Sequence, residues 1–142
     1  MTEALPTEIE LAVVTPDRQV ARERVKSVTI PGKSGYLGVL PGHAPLLTEL
    51  SPGTLSYSET SKTVFLAVTW GFAEVLPGHV IVLANTAERP EEIDLARAER
   101  AKQRAEERLK NLSDPELDQE RAREALRRAI ARIETARHAK SV

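Results

Sequence analysis

Six residues in the C-terminal part of the chain have types and spacings suited to binding phosphate. Asp94, Arg97 and Ala98 stand at i, i+3 and i+4, so on a helix an acid, a guanidinium and a small side chain share one face. Arg104 follows Arg97 by seven residues, two turns along that face, and Arg128 and Arg132 are one turn apart further on. If two helices pair with these faces aligned, four guanidinium forks converge on one groove. A fork of this kind meets phosphate oxygens two at a time, which the point charge of lysine does not. Asp94 is placed either to accept from a base or ribose group or simply to pair with Arg97. A plainer reading competes. Residues 88–142 carry 14 basic and 13 acidic groups, and such a mosaic also suits a solvent face laced with ion pairs worth roughly 0.3–0.5 kcal/mol each.

Other motifs yield less. Gly32-Lys33-Ser34 follows an apolar run, but a phosphate-binding loop requires glycine at position 27, where this chain has Ser27, and a strand-to-helix unit that is missing. The segment reads as a hairpin turn. His43 and His79 each follow a glycine in a turn and are expected to bond to nearby backbone. With three histidines, no cysteine, no Gly-x-Ser-x-Gly elbow and no His-Glu-x-x-His helix, neither an enzyme nor a metal site is expected. The formal charge of −1 and the lack of aromatic residues after Asn85 argue against nucleic acid. No apolar run approaches the roughly 20 residues of a membrane-spanning helix. Residues Met1–Glu8 lack a basic-then-apolar leader pattern, so a soluble protein of a reducing compartment is expected.

Two kinds of element must position the arginines. Residues 1–87 read as short strands broken by turns: Ile9, Leu11 and Val13 alternate, as do Val28 and Ile30, and further runs lie at 36–40, 54–58, 64–69, 72–76 and 80–83. The turns are marked by Pro16-Asp17, Pro41-Gly42, Pro52-Gly53 and Pro77-Gly78. This spacing predicts an antiparallel β-sandwich or barrel. Residues 88–142 change to helical period, with Leu95, Ala98, Ala101, Ala105, Leu109 and Leu112 forming one stripe. Ser113-Asp114-Pro115-Glu116 has the form of a capping box opening a second helix, whose stripe runs through Ala122, Ala125, Leu126, Ala129, Ile130 and Ile133. The short connection makes the helices antiparallel neighbours. Alanine in place of leucine gives up about 1–3 kcal/mol of burial per seam position, so this hairpin needs the sandwich, a ligand or a partner to hold it.

Four blocks, in order and correctly spaced, carry a resemblance: GYLGVLPGHAPLLT from Gly35 to Thr48, GFAEV from Gly71 to Val75, VLANTA from Val82 to Ala87 and IDLARA from Ile93 to Ala98. The chain resembles the epsilon subunit of bacterial F-type rotary ATP synthases over nearly its whole length. The resemblance implies a non-catalytic rotor subunit in the central stalk. Its sandwich would lie against the gamma subunit and the membrane c-ring. Its hairpin would be a mobile regulatory domain that folds down on the sandwich or extends along gamma toward the alpha and beta subunits, blocking ATP hydrolysis. In some members ATP holds the hairpin down, and their ATP-binding positions match Glu88, Asp94, Arg97, Ala98, Arg104, Arg128 and Arg132. ATP is thus implied as a regulatory ligand, with Mg²⁺ left open. The c-ring contact would be the loop Gly32, Lys33, Ser34, Gly35 and Tyr36. At Tyr36 some relatives carry an acid, so here that contact would be apolar or hydrogen-bonded. The extended hairpin would meet the head through Arg121, Arg123 and Arg127. The complex would lie on the cytoplasmic face of the bacterial plasma membrane, with no direct insertion by this subunit. The competing class is a permanent structural adaptor with no regulatory ligand.

Overall fold

Alternation decides the first half of the chain. In the computed structural model, which describes residues 4–139, Ile9, Leu11 and Val13 of strand β1 (Ile9–Val14) are fully buried while Glu10 between them faces out. Strand β9 (His79–Ala84) repeats the pattern with Val80, Val82 and Ala84 inward. Nine of the ten strands form one continuous path, β10-β7-β6-β3-β5-β8-β9-β1-β2, and β4 pairs with β3 off that path. The remaining strands are β2 (Gln19–Val25), β3 (Ser27–Gly32), β4 (Gly35–Val39), β5 (Leu46–Leu50), β6 (Gly53–Ser58), β7 (Thr63–Val68), β8 (Gly71–Val75) and β10 (Ala87–Glu88). The expected sandwich followed by a helical hairpin is what the structure shows.

The path folds at its weakest joint. β3 and β5 share a single residue pair, Gly32 with Leu50, and around it the two halves of the sheet turn to face one core. Ile9, Ile30, Leu55 and Leu66 from both halves lie in that core with no exposed surface. Arg89 nearly closes the open edge by donating from Nη2 to the Val20 carbonyl (3.1 Å), and Arg18 meets Glu92 at 2.9 Å beside it. Burial pushes the Tyr57 phenol above its ordinary pKa, and the neighbouring Arg89 pulls partly back.

Four details depart from the sequence reading. The pairing of β1 with β9 is parallel within an otherwise antiparallel sheet. Strands β2 and β5 complete the set; β5 shows no alternation, with Leu46 and Leu47 both exposed. Helix α2 (Gln119–Ala136) opens later than the capping-box pattern at Ser113–Glu116 predicts. Asp114 accepts the Glu116 N–H at 2.9 Å and spends the segment on a turn, leaving Asp118 to cap the helix by accepting the Arg121 N–H at 3.1 Å. Helix α1 (Leu95–Lys110) ends before Leu112, which is exposed and outside the stripe.

The helices form a hairpin folded down on the sandwich. α2 packs on β6 and β7, while α1 packs mainly on α2. The seam buries Ala98, Ala105, Ala122 and Ala129, with Ile133 the one large aliphatic side chain buried within the helices. Thr135, fully buried, shares a 2.8 Å hydrogen bond with Thr54 of β6, and the His138 ring stacks on Phe65 of β7 at 3.8 Å. No helix among the described residues is long and apolar enough to cross a membrane. The outermost positions given to the two segments, 1–3 and 140–142, lie outside the described residues.

Candidate functional site: an arginine cleft between sandwich and hairpin

The caps set the phase of each helix, and the phase aims the arginines. Asp94 caps α1 by accepting the Arg97 N–H at Oδ1 (3.0 Å), just as Asp118 caps α2. From those starting points Arg104 and Arg108 on α1, and Arg128 and Arg132 on α2, fall at i and i+4 along facing edges of the seam. Between them the floor is made of alanines, so the helix axes approach without large side chains filling the gap. Thr69, Thr86 and Glu88 supply the sandwich side. The result is a cleft of about 400 Å³ bounded by both helices and by the end of the sheet.

Four guanidiniums and one carboxylate line it, an excess of three positive charges. Arg132 grips Glu88 with both arms, Nε to Oε1 at 2.9 Å and Nη2 to Oε2 at 3.1 Å, and both side chains are largely buried. Arg128 lies over the Trp70 indole, 5.4 Å from the ring centre. Arg104 and Arg108 form no ion pair among the described residues. The Thr69 and Thr86 hydroxyls bond to each other at 2.7 Å.

Of the positions proposed from sequence, the cleft brings together Glu88, Arg104, Arg128 and Arg132. It does not include Asp94, Arg97 or Ala98. Asp94 is engaged with the backbone of Arg97 rather than with its guanidinium; Arg97 is exposed, and Ala98 is buried in the seam. Arg108 takes the place expected for Arg97. Its i+4 spacing from Arg104 was the available signal, since two arginines one turn apart on α2 call for a matching pair on α1.

The other proposed positions lie apart. Gly32 and Gly35 pair across the two-residue turn Lys33-Ser34. Lys33 pairs with Glu49 at 3.0 Å, and the half-exposed Tyr36 turns its hydroxyl to accept the Thr54 N–H at 3.0 Å. Pro31 and the Tyr36 hydroxyl close so tightly on Gly53 that a side chain there would collide with both. Arg121 and Arg123 are exposed on α2. Arg127 faces a second cleft of about 380 Å³ with Glu49, Glu120 and Glu124. His43 bonds its neighbour's carbonyl, Nδ1 to Ala44 O at 2.7 Å, as the turn reading expects. His79 does not: its Nε2 meets the Glu10 carboxylate at 3.0 Å, because the parallel pairing sets the two residues side by side. Among the described residues no cluster of side chains suits a metal ion.

Residues 8–90 match the family model of the ATP synthase delta/epsilon chain β-sandwich domain, and residues 91–137 match that of its long α-helix domain. The ATP synthase epsilon chain of Koribacter versatilis is 59% identical over 107 residues, 75% of each chain. That of Solibacter usitatus is 48% identical over 134 residues, 93% of this chain and 98% of the relative. Among solved structures, a chain in the Euglena gracilis mitochondrial ATP synthase OSCP/F1/c-ring assembly superposes with a TM-score of 0.83 at 29% identity, covering 96% of this chain and 85% of that one. Both halves being matched in order, the chain belongs to the delta/epsilon family of ATP synthases and groups with its bacterial epsilon chains.

Proposed function

We propose that this chain is a non-catalytic central-stalk subunit of a proton-translocating ATP synthase, and that its hairpin is an ATP-sensitive brake on ATP hydrolysis. One observation carries the regulatory part. The arginine cleft takes one wall from the sandwich and the others from the two helices, so it exists only while the hairpin is folded down. A ligand bound there must favour that state over an extended one. At a concentration 100 times its Kd, ATP would add about 2.7 kcal/mol to the folded-down arrangement. The Arg128–Trp70 contact and the screened Glu88–Arg132 pair that help hold α2 in place are worth about 1 kcal/mol each, so the ligand and these parts of the latch are of comparable strength.

The sandwich supports the assembly part. On the outer face of β5, β8 and β9, Leu47, Phe72, Ile81 and Leu83 are exposed, with Phe72 directly opposite Leu83 in the register. An apolar patch with Glu49 at its edge and Glu74 set between Leu47 and Ile81 suits a permanent protein partner, which in this reading is the gamma subunit. The turn at Lys33-Ser34 would face the c-ring, and the complex would sit on the cytoplasmic side of the plasma membrane. Extended, α2 would present Arg121, Arg123 and Arg127 to the alpha and beta subunits.

Calorimetric titration of the full chain with ATP tests the cleft. Saturable heat that disappears in Arg104→Ala and Arg128→Ala supports it, and no heat at millimolar ATP removes the ligand from the proposal. The alternative, a permanent brace, draws on the buried Thr135–Thr54 contact and the Glu88–Arg132 pair. Removing residues 95–142 from the assembled complex separates the two. A brake leaves assembly intact and raises hydrolysis, whereas a brace lowers assembly.

A further inference from the structure

We infer that Tyr36 is a positioning residue for the hairpin: the β3–β4 turn and helix α2 grip one residue, Thr54, from two sides. The β3–β6 ladder ends at Thr29–Ser56. Pro31, two residues further along β3, has no N–H, and its carbonyl accepts from Ser51 at 2.9 Å, so Thr54 finds no ladder partner there. Its N–H donates instead to the Tyr36 hydroxyl at 3.0 Å. On the other edge Thr54 stands opposite Ala67 of β7, which makes Tyr36 the tie on the β3 side. The Thr54 side chain serves α2, through the 2.8 Å bond to the buried Thr135. A backbone fixed by Tyr36 presets Oγ1 of Thr54, and a preset group costs less to order when Thr135 arrives.

The two grips also meet in space. A cleft of about 500 Å³ is lined by Tyr36, Thr54 and Phe65 of the sandwich and by Glu134, Arg137 and His138 at the end of α2. Tyr36 is 59% exposed and stands on β4, which is tied to β3 alone and lies off the main strand path. A partner seated on the turn can therefore draw the ring outward without parting that path. Doing so takes the hydroxyl from Thr54 and loosens α2; coupling being reciprocal, a released α2 leaves Tyr36 easier to draw out. Glu88–Arg132 and His138–Phe65 hold α2 independently, so the effect is a bias of about threefold to tenfold, the worth of one hydrogen bond. That the partner would be the c-ring rests on the function proposed above, whereas the coupling belongs to the chain alone.

Amide exchange of the full chain, followed by NMR, reads the coupling in both directions. Tyr36→Phe keeps the ring and deletes the hydroxyl. Exchange in α2 should quicken about threefold to tenfold while β1 and β9 stay unchanged. An unchanged α2 overturns the inference, and so does equal quickening of β1 and β9, because the variant then acts through the whole sheet. Thr135→Val leaves Tyr36 intact, and the Thr54 amide should then exchange faster by a similar factor; an unaltered rate there also overturns it. In the double variant α2 should exchange no faster than in Thr135→Val alone. A further, additive quickening would mean that Tyr36 reaches α2 by a route other than Thr54, and the shared grip would fall. With no partner or nucleotide present, failure here leaves the c-ring contact and the ATP cleft standing, and failure of either of those leaves these rates unchanged.

Discussion

The sandwich and the hairpin are held by different physics. Leu11, Ile30, Leu55, Leu66 and nine valines fill the sandwich core, most with no exposed surface. The hairpin buries mainly Ala98, Ala105, Ala122, Ala129 and Ile133, and its grip on the sandwich runs through one ion pair, one cation–π contact, one threonine pair and one ring stack. A core of branched side chains stabilises by volume and tolerates no vacancy. A seam of alanines lets backbones approach but contributes little area, so the arm depends on its attachments. The first region is a platform and the second is built to be released.

The largest effect that would sharpen this contrast is a cavity in the platform. Leu66→Ala should cost about 2–5 kcal/mol, read as a lower urea midpoint for loss of sheet signal. A cost near 0.5 kcal/mol would break the comparison, because the sandwich core would then be no more demanding than the seam. The complementary change overfills the arm. Ala129→Leu forces a large side chain into the buried alanine seam of α1 and α2 and should cost about 1–3 kcal/mol. That loss should appear as early melting of helical signal while the sheet transition stays in place. One cooperative transition for both regions would mean the hairpin is not separable.

The same contrast governs what could be read in advance. Alternation in β1 and β9 and the three-four spacing on α1 are local patterns, and the structure follows them. Strand β5, exposed at Leu46 and Leu47, carries no alternation, so its pairing with β8 rather than its own sequence makes it a strand. The parallel pairing of β1 with β9 and the contact of Glu88 with Arg132 join residues far apart in sequence, and neither leaves a local trace. Asp94 shows a local sign with a second use. An aspartate immediately before an apolar-periodic helix is the ordinary sign of a cap, and Asp94 does cap α1, a use that reading its acidity for a ligand left unnamed. The Arg128–Arg132 pair was legible because four-residue spacing is local, whereas Arg108, four residues after Arg104, was passed over in favour of Arg97. Which pairs would meet depended on helix phase, set by caps that the sequence misplaced on α2.

Glu88→Gln tests a weaker term. It removes half of a bidentate pair whose partners are about one quarter exposed, and after solvent screening the expected cost is about 1 kcal/mol. The loss should fall on docking alone: amide exchange should speed up along α2 while β6 and β7 remain protected. Equal acceleration in the strands would show that Glu88 supports the sheet edge, and the division between platform and arm would move. Because Arg132 is freed by the substitution, the folded-down cleft itself should hold ATP more tightly even as docking loosens. A purely structural role for Glu88 would not produce that opposition.

The smallest effect asks whether Arg128 belongs to the latch at all. Trp70→Leu keeps an apolar group beneath the guanidinium and deletes the ring that attracts it, so docking should weaken by about 0.5–1 kcal/mol. A single substitution does not separate this attraction from lost packing, but a double-mutant cycle with Arg128→Ala does. If the pair is energetic, the second substitution costs less once the first is present, and the coupling equals the cation–π term. If the coupling is zero, Arg128 merely passes over the indole and is already free for phosphate. The platform would then hold the arm through Glu88–Arg132, Thr54–Thr135 and the His138–Phe65 stack, and ligand binding would not have to break any contact that Arg128 makes.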